Sequence, residues 1–273
     1  MISTVSDYID ELRLEHRVKA VRNWLSAADP SINHANAREK RHEGTGAWFI
    51  DGQAFAGWKE QSGSFLWLHG IPGCGKTVLS STIIEFLKGV TTPAQVLLYF
   101  YFDFNDTNKQ TLEVMLRSFV DQLYEGYADT RRSLDQLWES HDKGQRQLSR
   151  TSLEDVLADM LSEVKDLHIV LDALDESTTR SDLLAWLWKV HTSRSSACRI
   201  LVTSRREQDI ESALQPWVRP EDRIKIRRDD VNRDVRAYVH HTVRKGNGLK
   251  RWQEMPEVQD EIETELGRQV GGM

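Results

Sequence analysis

Lys76 and Thr77 follow a turn built from Gly70, Ile71, Pro72, Gly73, Cys74 and Gly75. The octet fits G-x-x-x-x-G-K-[ST], the pattern of a phosphate-binding loop. Each residue type has a physical task in that reading. Glycines let the backbone turn its N–H groups inward, forming a concave nest for phosphate oxygens. A helix beginning near Lys76 presents free N–H groups and a positive dipole end to the same anion. Lys76 would set an ammonium between the β- and γ-phosphates, and the Thr77 hydroxyl would ligate Mg²⁺. The expected nucleotide-binding stretch runs from Gly70 through Val78. A glycine-rich strand-to-helix turn with a chance lysine is the plainer alternative. Against it stand the flanks: a buried run, "FLWLH", before the turn and an amphipathic one, "TVLSSTIIEFL", after it.

A second group of reactive residues sits in "HIVLDALDES". The apolar run brings Asp172 to the C-terminal end of a strand, the edge where α/β sheets bind ligands. A carboxylate there can hold the same Mg²⁺ as Thr77. Asp175 and Glu176 follow on the adjoining turn, and either could orient or deprotonate a water for attack on the γ-phosphate, with Glu176 preferred. Acids also cap strand ends for purely structural reasons, which is the competing account. The third group closes "RILVTSR", where Arg205 could read the γ-phosphate. Its neighbour Arg206 reads as a solvated side chain.

These groups need a scaffold, and the pattern of the chain supplies one. Short, nearly continuous apolar runs ("SFLWLHG", "QVLLYFYFDF", "LHIVLDALDE", "CRILVTSR", "DRIKIRR") alternate with amphipathic helical stretches. That alternation predicts an α/β fold with a parallel sheet covered on both faces and helices at both ends. The first thirty residues read as a helix ended by Asp29-Pro30, and the polar text from Asn33 to Gly46 reads as a loop. Trp186 and Trp188 are expected in the core. "RIKIRR" has the alternation of a sheet-edge strand whose charges discourage further pairing.

Composition narrows the function. A 273-residue chain that is 39% hydrophobic can bury a substantial core. Its net charge of −6 argues against a nucleic-acid partner. No apolar run approaches the ~20 residues of a membrane span, and no signal peptide is apparent. Cys74 and Cys198 make neither a disulfide framework nor a zinc pattern, so a reduced, cytoplasmic protein is expected.

With the three groups in this order, the chain resembles the fungal NACHT-domain NTPases of the STAND class, relatives of NOD-like receptors and heterokaryon-incompatibility proteins. "GTGAWFIDGQAFAGWKE", "FLWLHGIPGCGKTVLSSTIIEFL", "YFYFDFND", "IVLDALDE" and "ILVTSR" carry the likeness. The small residue Ala173 directly after Asp172, followed by Asp175 and Glu176, is its most specific mark. The resemblance implies a P-loop NTPase with a five-stranded parallel sheet and the phosphate-loop strand near the middle. It implies binding of ATP or GTP with Mg²⁺, slow hydrolysis, and use of the bound state as an oligomerisation switch. Protein partners would be further copies or longer NACHT relatives. By the same resemblance, the loop from Glu43 to Trp48 lies where relatives bring a segment against base and ribose; a simple linker is the other reading.

The expected division is an N-terminal helix and linker (1–47), a NACHT core (48–228) and a C-terminal helical segment (229–273). Relatives continue into a winged helix and repeats, so a chain stopping at "LGRQVGGM" reads as truncated near the end of the core. Two other classes compete. One is a non-hydrolysing nucleotide-binding scaffold or decoy that assembles with longer relatives. The other is a small-molecule phosphotransferase, disfavoured because residues 125–165 carry no lid-like pattern. Nothing in the sequence chooses ATP over GTP.

Overall fold

The computed structural model describes residues 2–272 except 43, 91, 93–94, 194–197, 246–251 and 253–254. Helices α1 (Ile2–Leu25), α2 (Ser31–Glu39), α3 (Ala47–Ile50) and α4 (Gln53–Glu60) precede the first strand, β1 (Phe65–His69). Helix α5 (Lys76–Val90) leads to β2 (Gln95–Tyr101), and α6 (Leu112–Gly126), α7 (Arg131–Ser140) and α8 (Arg150–Ser162) lead to β3 (Asp166–Asp172). Then follow α9 (Arg180–Ser193), β4 (Cys198–Ser204), α10 (Gln208–Leu214), β5 (Arg223–Lys225), α11 (Arg228–Lys245) and α12 (Pro256–Gly272).

The strands form one five-stranded sheet in the order β2-β3-β4-β1-β5, and every pairing is parallel. The α/β fold with a parallel sheet expected from the alternating runs is present, and its five strands are consistent with the P-loop-like architecture that the resemblance implied. The phosphate-loop strand β1 lies one place in from the edge, between β4 and β5, and β4 holds the centre. Side chains alternate across the sheet as strand geometry requires. Phe65 and Trp67 join one core layer with Phe119, Leu157 and Leu187, while Leu66 and Leu68 join Phe55, Ile83 and Leu87 on the other face. Both faces are therefore covered, which explains why β1, β3 and β4 read as unbroken apolar text. Each fully buried Leu, Ile or Phe contributes roughly 1.5–3 kcal/mol by leaving water. Val21 and Leu25 of α1 belong to the first layer, and Arg22 ties the same helix to Asp121 of α6 at 2.7 Å.

Two expectations are corrected. The stretch from Asn33 to Gly46, read as loop, is helical in its first half, where residues 33–39 belong to α2. Its start is fixed by Asp29, which accepts from the Ser31 N–H and hydroxyl at 2.8 Å. Its buried face carries His34, whose ring meets Tyr101 Oη at 2.9 Å and Glu85 Oε1 at 2.8 Å. A polar residue satisfied by distant partners does the anchoring that apolar periodicity usually signals. Trp188 is 46% exposed rather than in the core, with its ring 5.3 Å from that of Trp217; Trp186 is buried as expected. Strand β5 is a short, half-buried edge strand, in keeping with its charge pattern. Among the described residues no helix is long and apolar enough to cross a membrane.

His168 on β3 bears on stability. It is 2% exposed, its ring lies 5.7 Å edge-on from Trp58, and neither ring nitrogen has a hydrogen-bond partner among the described residues. Burial pulls its pKa down to about 4, with the Arg199 charge adding to the fall and Asp166 opposing it. Between the unfolded value near 6.5 and about 4, the unfolded chain binds the extra proton, so stability falls as pH falls. The loss amounts to about 3 kcal/mol at the acid end. We expect His168→Leu to flatten the decline in melting temperature between pH 6.5 and 4.5. An unchanged slope in the variant would place the acid sensitivity elsewhere.

Candidate functional site

Parallel pairing brings the C-terminal ends of β1, β3 and β4 to one edge, with His69 opposite Ser204 and Leu171 opposite Val202. The segments that leave those strands carry all three groups of candidate residues. Residues 70–75 connect β1 to α5 as a turn in which Gly73 and Gly75 adopt φ of +76° and +82°. Those angles suit glycine and would strain any side chain bearing a Cβ. Cys74 packs over Gly70, where a Cβ would stand 2.5 Å from the Cys74 Sγ. It fills the loop as a small residue. Lys76 opens α5 and donates from Nζ to the Gly70 and Ile71 carbonyls, both at 3.0 Å, so its ammonium lies along the loop. Ile71, Pro72, Gly73 and Thr77 are exposed, and Val78 is half-buried one residue further along the helix.

Asp172 ends β3 and is 2% exposed. Its Oδ1 accepts from the Ser80 hydroxyl at 2.6 Å and from the Thr203 hydroxyl at 2.7 Å. Burial pushes this carboxyl up, against the hydrogen bonds of Ser80, Thr203 and Thr77 and the charge of Lys76. Both buried hydroxyls meet the carboxyl at the same oxygen, Oδ1. A hydroxyl and a carboxylate are hard oxygen donors, the chemistry that suits Mg²⁺ held jointly with phosphate oxygens. Among the described residues no cluster of three or more His, Cys, Asp or Glu could hold a metal ion, and Thr77 and Asp172 offer one oxygen donor each, which fits Mg²⁺ shared with a phosphate. Sequence reading overlooked Ser80, although it falls three residues after Thr77 and hence on the neighbouring face of α5. It also gave Thr203 no part.

Ala173 adopts a left-handed conformation (φ +59°), and its N–H donates to the Thr203 hydroxyl at 3.0 Å. A small side chain limits the steric cost of that backbone state. The turn separates the two acids that follow. Asp175 accepts from the Arg205 backbone N–H at 2.9 Å and stands 3.2 Å from Arg205 Nε. Glu176 instead accepts from the Phe104 N–H at 2.9 Å. Burial raises the Glu176 pKa, helped by the charges of Asp175, Asp172 and Asp103 and opposed by the Phe104 amide. Phe104, Asp175, Glu176, Arg205 and Glu207 border one open concavity. Arg206 points into a separate exposed pair with Glu211 at 2.6 Å.

A second cleft lies on the other flank of the phosphate loop. Gly73, Gly75 and Val78 face Thr45, Gly46 and Trp48 across it, and α11 closes one side with Asp234 and Tyr238. Asp234 accepts from the Gly46 N–H at 2.7 Å, joining α11 to the segment before α3. The 45–48 part of the segment flagged in the sequence therefore adjoins the phosphate loop; Glu43 lies outside the described residues. The lining by α11 was missed, although Val231, Val235 and Tyr238 recur at helical spacing.

Comparison with known proteins adds two findings. Residues 44–205, more than half of the chain, match the family model described as Nephrocystin 3, N-terminal. The chain is also similar to vegetative incompatibility protein HET-E-1 of Podospora anserina, 24% identical over 208 residues. That alignment covers 72% of this chain and 15% of the relative, so the chain spans a small part of the relative's length. The similarity agrees, at the level of family, with the resemblance to fungal incompatibility proteins.

The raised carboxyl of Asp172 has a measurable consequence. A carboxylate whose folded pKa lies above the unfolded one destabilises the fold as pH rises through that interval. Asp172→Asn removes the ionisation while keeping an acceptor for Ser80 and Thr203. We expect a higher melting temperature for the variant at pH 7–8, with the gap closing toward about pH 4. A variant less stable at neutral pH than at pH 4, relative to the parent, would reverse the sign.

Proposed function

The chain belongs to the nephrocystin 3 N-terminal family, and we propose that it is a NACHT module that binds a nucleoside triphosphate with Mg²⁺, hydrolyses it slowly and acts as an assembly switch. The observation that carries this reading is the convergence of Lys76, Thr77 and buried Asp172 at one sheet edge, beneath a glycine turn of left-handed geometry. In this reading residues 48–228 are the working core, flanked by helical segments 1–47 and 229–273. The backbone from Gly70 to Val78 wraps the phosphates, and Lys76 leaves its carbonyl contacts to bind the β- and γ-phosphate oxygens. Thr77 and Asp172 hold Mg²⁺, which when bound neutralises charge on the triphosphate. The base of ATP or GTP occupies the cleft between Thr45–Trp48 and α11.

The two acids after Asp172 divide the remaining work. Asp175 holds Arg205, fixing its guanidinium where γ-phosphate charge develops. Glu176 takes a proton from water as the water oxygen bonds to the γ-phosphorus and the β–γ bridging bond breaks. The bridging oxygen leaves with the electron pair on the nucleoside diphosphate. Burial raises the basicity of Glu176, which favours proton abstraction near neutral pH. Partners are further copies of the chain or longer NACHT relatives, in keeping with the similarity to an incompatibility protein.

Titration with fluorescent ATP and GTP analogues in Mg²⁺ tests the reading. Lys76→Ala removes a charge-assisted hydrogen bond of about 1.5–3 kcal/mol, which weakens binding roughly tenfold to hundredfold. Affinity unchanged by Lys76→Ala would refute the phosphate-loop assignment. Saturable binding without phosphate release, even at concentrations that drive assembly, would mark a nucleotide-binding scaffold or decoy instead.

A further inference from the structure

We infer that Gln110, on the turn between β2 and α6, is a positioning residue for Glu176. The inference rests on the hydrolytic reading above and adds a part of the site that the phosphate-loop motifs do not contain.

The turn is joined to the loop after β3 by a closed set of hydrogen bonds. The Gln110 carbonyl accepts from the Thr178 N–H at 2.7 Å, and from the Ser177 and Thr178 hydroxyls at 3.2 and 3.1 Å. The Gln110 side-chain amide reaches the other way, donating to the Phe104 carbonyl at 2.7 Å and the Asp103 carbonyl at 3.2 Å. The Phe104 N–H then donates to Glu176 Oε2 at 2.9 Å. Gln110 thus holds both ends of the path, with its backbone on the segment that bears Glu176 and its side chain on the peptide that contacts Glu176.

The turn is also tied by the Phe102 N–H to the Asp172 carbonyl at 3.1 Å and the Asp103 N–H to the Lys109 carbonyl at 3.3 Å, but neither bond reaches the Phe104 peptide carbonyl. Phe104 is 63% exposed, so burial of its own side chain does not fix the backbone that carries the donor. On the other side of the turn, Asp103 accepts from Asn33 Nδ2 at 3.0 Å and from the Asn105 N–H at 2.9 Å. Lys109, which is buried, bonds to the same Asn33. These contacts anchor Asp103 to α2 and leave the Phe104 carbonyl to Gln110. The Phe104 N–H tethers the carboxylate at Oε2, which leaves Oε1 without that donor and able to take a proton from water. A carboxylate without that donor samples other rotamers, and misplacement of a general base lowers turnover without altering ground-state nucleotide contacts.

The test is a double-mutant cycle on single-turnover phosphate release from Mg²⁺-ATP and Mg²⁺-GTP, with nucleotide Kd measured in parallel. Gln110→Leu should lower turnover roughly three- to tenfold, the worth of one neutral hydrogen bond, with Kd unchanged within about twofold. In the Glu176→Gln background the same change should lower the residual rate no further, because Gln110 acts through Glu176. An equal fall in both backgrounds, or a parallel loss of affinity, would overturn the inference. Gln110→Met, which keeps the chain length without the amide, serves if the Leu variant melts early. A parent that hydrolyses while both Gln110 variants keep its full rate would overturn the inference alone. A parent that binds nucleotide and releases no phosphate would overturn the hydrolytic reading and this inference with it.

Discussion

A carboxylate removed from water must be hydrogen-bonded where it lies, and Asp172 imposes that requirement on the sheet edge. Its partners arrive from two directions: Ser80 from α5, packed on one face, and Thr203 from β4, the adjacent strand. The Thr203 contact does not survive a slip of register between β3 and β4, and the Ser80 contact requires α5 to lie against the end of β3. Leaving such a group buried and unpaired costs several kcal/mol, comparable to much of a domain's net stability. The Thr203 hydroxyl also accepts from the Ala173 N–H, so the same contact sets the left-handed residue from which the acidic turn departs.

The two flanks of Asp172 differ in physical character. On one, the glycine turn, Trp48 and α11 make a cleft with an aromatic and aliphatic lining. On the other, Asp175, Glu176, Arg205 and Glu207 surround a wide, polar concavity. Adjacent acids in the sequence reach different environments there. Asp175 is spent on Arg205, whereas Glu176 has one backbone amide and a carboxyl shifted upward by burial. One step along a tight turn is enough to pair one acid with an arginine and the other with a backbone amide.

Much of this was legible in the sequence because it is local. The phosphate loop is eight consecutive residues, and β1, β3 and β4 are continuous apolar runs because both faces of the sheet are covered. What escaped depends on contacts distant in the chain. Helix α2 carries a polar residue on its buried face, and His34 finds its partners 51 and 67 residues away. Gln110 reads as an ordinary turn residue until Ser177 and Thr178 are brought beside it. Trp188 sits in a helical run that looks apolar throughout, and only the position of α9 on the sheet shows which face meets solvent. Asp234 gives no sign of its contact with Gly46, 188 residues earlier.

Strand order also governs how the chain emerges during synthesis. β1 does not pair with β2, the next strand to be made; its neighbours are β4 and β5. The apolar segment Phe65–His69 leaves the ribosome long before Cys198–Ser204 exists to flank it. At ordinary elongation rates of ~5–20 residues per second, that interval lasts roughly 7–27 s. Through that time the strand that leads into the phosphate loop has no edge to join. β2 and β3 are both made before β4, so their pairing needs no later segment, whereas that of β1 does. The β1–β5 side of the sheet is thus the last part of the sheet to gain all its strands.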